Sequence, residues 1–153
     1  MPCTNPGSKA LRIGRFSQPQ GIYFITTGTD DRIPWFSDFE LGCRMSRHLA
    51  APGSMEDASL MCWVIMPDHL HILVQLGSRS LAKVINRLKS RSAIALNREI
   101  GRKGRFWESG FYDHALRKEE DAIGIARYIV ANPLRANLVN DIRHYPFWNS
   151  IWL

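Results

Sequence analysis

Apolar positions in this chain recur with two periods, and the changes of period divide it into elements. Gly21-Ile22-Tyr23-Phe24-Ile25-Thr26-Thr27 is aromatic and β-branched and reads as a first strand. From Asp38 to Leu49, Phe39, Leu41, Met45 and Leu49 recur among polar residues. This predicts a helix capped by Ser37 or Asp38 and ended by Ala51-Pro52-Gly53-Ser54. Leu60–Met66 is apolar throughout, as a strand buried on both faces is. After Pro67-Asp68, His69–Leu76 alternates, so Leu70, Ile72, Val74 and Leu76 share one face of a strand. His69, His71, Leu73 and Gln75 share the other. Ser80 caps a long helix to about Ile100, with Leu81, Val84, Ile85, Leu88 and Ala95 towards the core. Phe111–Arg117 reads as a fourth strand, and Glu119-Glu120-Asp121 opens a last helix that runs to about Asn132, before Pro133.

The order β-α-β-β-α-β-α is that of an α+β protein with a ferredoxin-like split βαβ pattern and one extra helix. A four-stranded antiparallel sheet is expected, with its two crossover helices on one face. The histidine face should be the open one, free to receive the C-terminal helix. Residues 1–20 carry Pro and Gly with Lys9, Arg12 and Arg15 and read as a basic N-terminal arm, which leaves 21–153 as a single domain. A chain of 153 residues is sized for one core.

Charge narrows the function. Twenty Lys and Arg against fourteen Asp and Glu give +6, which favours a polyanionic partner. The excess is local, because Arg79 to Arg117 holds ten basic residues against three acidic ones. Lys83, Arg87 and Arg91 stand four apart on the long helix, Arg98 follows, and Arg102, Lys103 and Arg105 lie in the next loop. Together with Arg12 and Arg15 these are the candidate DNA contacts, although a solvated helix face would show the same four-residue spacing. No apolar run reaches the ~20 residues of a membrane-spanning helix, so a cytoplasmic protein without a membrane partner is expected. Cys3, Cys43 and Cys62 are widely spaced and odd in number, as reduced thiols would be.

Two pairs of residues carry chemistry. His69 and His71 point the same way from one strand and suit a shared metal ion, or a hydrogen-bonded structural pair. Tyr128 and Asn132 stand one helical turn apart, so the phenol and the amide project together. A phenol of pKa near 10 is a weak nucleophile unless it is deprotonated or its electrophile is polarised. Two neutral imidazoles and an amide oxygen leave a divalent cation's charge available to a phosphate, which fits Mg²⁺ or Mn²⁺. Of the other tyrosines, Tyr23, Tyr112 and Tyr145, none has an amide partner one helical turn on, and Tyr112 is the alternative nucleophile. Phe106 and Trp107 suit either packing or stacking on an unpaired base.

Met66-Pro67-Asp68-His69-Leu70-His71-Ile72-Leu73-Val74, Trp107-Glu108-Ser109-Gly110-Phe111-Tyr112-Asp113-His114 and Tyr128-Ile129-Val130-Ala131-Asn132-Pro133-Leu134-Arg135-Ala136 occur in that order. This series resembles the single-tyrosine HUH transposases, in particular those associated with repetitive extragenic palindromes (REP). The resemblance spans roughly Gly21 to Trp148. It implies a metal-dependent single-stranded DNA endonuclease and strand transferase, with Tyr128 as nucleophile and His69, His71 and Asn132 as metal ligands. A 5′-phosphotyrosine intermediate, a palindromic hairpin substrate, no small-molecule cofactor and a monomer are implied with it. Two other readings remain: a non-catalytic ferredoxin-like DNA-binding module, and a replication-initiator or relaxase-type HUH nickase. The short chain, with no helicase or multimerisation domain, speaks against the latter.

Overall fold

A computed structural model of the protein describes residues 17–117 and 121–153. Arg12 and Arg15 of the basic arm, Cys3, and Glu119 and Glu120 lie outside the described residues. The elements run β1 (Ile22–Gly28), α1 (Phe39–Ala50), β2 (Ser59–Met66), β3 (His69–Gln75), α2 (Leu81–Ile100), β4 (Tyr112–Ala115), α3 (Ala122–Val130), α4 (Asn132–Arg135) and β5 (Trp148–Ser150). Among the described residues all strands join one sheet in the order β4-β1-β3-β2-β5, and every neighbouring pair is antiparallel.

The α+β class and the split βαβ order are as expected, but the sheet has five strands and not four. The fifth is Trp148–Ser150, which pairs Trp148, Asn149 and Ser150 with Val64, Trp63 and Cys62. Three residues show no alternation that a sequence pattern could reveal. They are held at the β2 edge by their flanks: the Tyr145 hydroxyl donates to the Ile65 carbonyl, and Phe147 is buried against α1. There Gly42 lies so close that a Cβ would sit 2.4 Å from the Phe147 ring.

The crossover helices form for local reasons. Asp38 accepts from the Leu41 N–H at 3.1 Å and starts α1, and Ser80 accepts from Lys83 at 3.3 Å and starts α2. Gly101, at φ +64°, ends α2, with the Arg102 N–H returning to the Asn97 carbonyl at 2.9 Å. In α2 the position that reaches the core is Leu96. Ala95, expected there, is only half-buried, because Ser92 and Leu96 complete the buried stripe of Leu81, Val84, Ile85 and Leu88.

The sheet carries a core on each side. Under α1 and α2, Ile25, Ile65, Leu70, Ile72 and Val74 pack with Met45, Ile85 and Leu88. On the opposite face Cys62, Val64, Met66 and Leu73 pack with Ala122, Ala126, Ile129 and Val130 of α3. The β3 alternation is therefore as expected, and α3 covers the face that bears the histidines. The last helix differs in one respect. It ends at Val130, and Asn132 and Pro133 begin a separate short helix after Ala131. Pro133 cannot continue an unbroken ladder, since it has no N–H to return to the preceding turn. No helix among the described residues is long and apolar enough to cross a membrane.

Candidate active site

His69 and His71 rise from β3 on the α3 side of the sheet, and the neighbouring strands supply their partners. His71 lies opposite Thr26 of β1, and the Thr26 hydroxyl is 2.8 Å from His71 Nδ1. His69 Nδ1 is 2.6 Å from the Asp68 carboxylate. A carboxylate only accepts, so Nδ1 of His69 carries a proton, and Nε2 is the nitrogen turned towards His71. Both rings are thus held by Nδ1, and their Nε2 atoms meet at 3.1 Å. Burial first, then the positive fields of His69, Arg135 and Arg32, hold the His71 pKa down to about 3. The His71 imidazole is therefore neutral at physiological pH.

The pair fits a cation. Nitrogens about 2.1 Å from one ion stand roughly 3.0 Å apart at an octahedral right angle and roughly 3.4 Å apart in a tetrahedron. The observed 3.1 Å is nearer the octahedral value, and each ring has the outer partner that metal-bound imidazoles use. Among the described residues no third His, Cys, Asp or Glu converges with them. Asn132 carries an oxygen donor of another type: its Nδ2 donates to the Ile129 carbonyl at 2.9 Å and leaves the amide oxygen as its accepting end.

Tyr128 comes from α3, over the same face. Its ring meets Phe24 edge-on at 6.5 Å, and Phe24 in turn lies 5.5 Å from the His71 ring. The phenol is 53% exposed, open to a substrate from solvent. Tyr112 is also on this face, opposite Thr26 and 40% exposed. The remaining tyrosines have structural roles. Tyr23 is buried in the core under α1 and α2, and Tyr145, whose pKa burial raises to about 12, bonds the Ile65 carbonyl. His114 shares the face too, opposite Phe24.

The basic residues divide. α2 packs on the far side of the sheet, so Lys83, Arg87 and Arg91 are not brought together with the histidines. Arg87 pairs with Glu56, which also binds Arg79, and burial, with the charge of Arg91 second, lowers the His48 pKa. Because α2 runs back along the sheet, Arg98 and the following loop return to the His69 end. That loop is stitched to β1 through the Asp30 N–H to the Phe106 carbonyl and the Glu108 N–H to the Gly28 carbonyl. Gly28 pairs with His69. Arg102 is spent partly within the loop, donating to Asn97 and to the Arg105 carbonyl, while Lys103 and Arg105 are exposed. Phe106 and Trp107 are buried and pack, with Trp107 donating to Ser92 at 2.9 Å, so neither is free to stack on a base.

Several residues of the site escaped sequence reasoning. Thr26 is found only through strand register. Arg32 arrives through a tight turn in which Asp31 and Arg32 both have φ near +55°, and its guanidinium donates to the Asp68 carbonyl at 3.3 Å. Asp68 had a signal, since a carboxylate beside a candidate ligand histidine is its natural outer partner. Gly28 admits both Arg32 and Glu108. A Cβ there would lie 2.6 Å from the Arg32 guanidinium and 3.0 Å from the Glu108 carboxylate.

A family model described as IS200-like transposase matches residues 19–132. A REP-associated tyrosine transposase of Escherichia coli K12 is 25% identical over 138 residues, covering 82% of this chain and 78% of the relative. A Haemophilus influenzae protein assigned to the same group is 26% identical over 139 residues, covering 83% and 78%. A solved structure of a REP-associated tyrosine transposase bound to a REP hairpin superposes with a TM-score of 0.65 at 19% identity, covering 88% of this chain and 79% of that one.

Proposed function

The chain belongs to the IS200-like transposase family of DNA-cleaving enzymes, and from that premise we propose that it nicks and rejoins single-stranded DNA at REP-type palindromic hairpins. The observation that carries this reading is the convergence, on one face of the sheet, of two Nε2 atoms 3.1 Å apart with the exposed phenol of Tyr128. Such a face offers a metal-binding pair and a nucleophile together, which a purely architectural histidine pair does not need.

Tyr128 is the nucleophile. Its phenolic oxygen attacks the scissile phosphorus, the bond from phosphorus to the 3′ oxygen breaks, and that oxygen leaves as a 3′-hydroxyl after taking a proton. The phenol proton is lost to water, and a 5′-phosphotyrosine remains. One phosphoester replaces another, so a later 3′-hydroxyl reverses the step without ATP. His69 and His71, with the Asn132 amide oxygen, would hold Mg²⁺ or Mn²⁺. When bound, the ion supplies Lewis-acid polarisation of the phosphate. Thr26 and Asp68 keep both imidazoles aimed.

Arg98, Arg102, Lys103 and Arg105 follow the nicked strand at the His69 end. Lys83, Arg87 and Arg91 lie behind the sheet and serve a more distant part of the hairpin; Arg12 and Arg15 of the arm add further phosphate contacts. Tyr128 packs over the sheet of its own chain, which favours a monomer.

Incubating the protein with a labelled REP-type hairpin and Mn²⁺ should give a covalent protein–DNA adduct. Tyr128→Phe and His71→Ala should abolish it, and the wild type should retain salt-sensitive binding without metal. Tight binding with no adduct at any metal concentration would instead establish the non-catalytic DNA-binding module.

A further inference from the structure

Arg135 stands seven residues beyond Tyr128, past the break at Ala131, yet it touches the same residue twice. Its guanidinium carbon lies 3.8 Å from the centroid of the Tyr128 ring. Its Nη2 donates to the Tyr128 carbonyl at 2.7 Å. The second contact alone has an architectural explanation: carbonyls in the last turn of a helix lack intrahelical partners, and basic side chains often take them. Helix capping does not require the stack on the ring. The ring needs support, because it is half-exposed and meets Phe24 only by its edge. Position at a reacting centre is costly to lose, with displacements on the order of 1 Å worth about a hundredfold in rate.

We infer that Arg135 is the positioning residue for Tyr128, fixing the phenol by gripping its backbone carbonyl and its ring face together. The inference rests on Tyr128 being the nucleophile. A guanidinium has five N–H donors in a rigid fork. One is spent on the Tyr128 carbonyl, and the plane of the fork lies against the ring. A lysine could place charge there but not the planar stack, so the two substitutions separate charge from geometry. The break between α3 and α4 then has a function, because it turns the residues after Asn132 back over the tyrosine.

The test has a kinetic arm and a spectroscopic arm. In single-turnover reactions at saturating hairpin DNA, Arg135→Met should slow adduct formation about tenfold or more, and Arg135→Lys by an intermediate factor. Hairpin affinity and the unfolding midpoint should change little. With fluorotyrosine incorporated, the ¹⁹F spectrum has four resonances, one for each tyrosine. The Tyr128 signal, identified by its loss in Tyr128→Phe, should shift and sharpen in Arg135→Met while the other three stay in place. Three results would overturn the inference: a rate within twofold of wild type, a loss of rate matched by an equal loss of hairpin affinity, or an unmoved Tyr128 resonance. Should Tyr128→Phe still form the adduct, the nucleophile assignment fails, and the fluorine shift still reads the contact by itself.

Discussion

Removing the Asp68 carboxylate should weaken metal binding without unfolding the protein. Asp68 accepts from His69 Nδ1 at 2.6 Å and so keeps Nε2 directed at its neighbour on His71. Loss of such an outer partner costs about 10–100-fold in metal affinity, or about 1.4–2.7 kcal/mol. The site favours the lower end of that range. The Asp68 side chain is 34% exposed and that of His69 is 22% exposed, so water can take over part of the lost hydrogen bond. Asp68→Ala should therefore raise the Mn²⁺ midpoint about tenfold, and Asp68→Asn, which keeps an accepting oxygen, about threefold. The backbone of Asp68 also serves Thr29 and Arg32 through its carbonyl, and neither substitution removes that contact. Free Mn²⁺ followed by electron paramagnetic resonance gives the midpoint directly, with thermal unfolding as the control. A well-folded Asp68→Ala protein whose midpoint stays within twofold of wild type would refute the reasoning.

Two helical glycines should respond with opposite sign. Gly42→Ala drives a Cβ into the Phe147 ring and should destabilise the fold by about 1–3 kcal/mol, whereas Gly124→Ala meets nothing within 4 Å and should stabilise α3 by about 0.5–1 kcal/mol. Urea unfolding measures both, and a stabilised Gly42→Ala would contradict the docking of the tail. In acid, the unfolded chain protonates His71 near its ordinary pKa of about 6.5 while the folded state resists to about 3. The unfolded state then binds more protons, so stability in chelator should fall as pH drops from about 7 towards 3, and His71→Gln should flatten part of that fall. In alkali, Cys62, raised by burial to about 11, and Tyr145, raised to about 12, should make stability fall as pH rises above about 9, as calorimetry across pH can read.

Much of this arrangement was legible in the chain. The parity of His69, His71 and Leu73 against Leu70, Ile72 and Val74 placed the imidazoles on one face, because strand side chains alternate whatever the fold. The i, i+4 spacing of Tyr128 and Asn132 indicated a shared direction, but the helix break at Ala131 lies between them. β5 escaped notice because three residues carry no period, and its pairing depends on Tyr145 and Phe147 finding Ile65 and Gly42 far away in sequence. The basic stretch from Arg79 to Arg117 is continuous in sequence but divided in space. Charge counted along a chain takes no account of sheet faces, and a crossover helix opposite the histidine face necessarily carries Lys83, Arg87 and Arg91 behind the sheet. Contacts between distant residues, such as Thr26 with His71, required register and could not be read from either segment alone.

The central claim is that Tyr128, and not Tyr112 on the same face, takes up the DNA. Trypsin separates the two. Cleavage after Arg127 and Arg135 releases Tyr128-Ile-Val-Ala-Asn-Pro-Leu-Arg135, and cleavage after Arg105 and Arg117 releases the peptide that contains Tyr112. After reaction with hairpin DNA and Mn²⁺ and digestion with nuclease, tandem mass spectrometry should find a nucleotide 5′-phosphate on Tyr128 in the first peptide and none in the second. A nucleotide on Tyr112, with the Tyr128 peptide unmodified, would contradict the account.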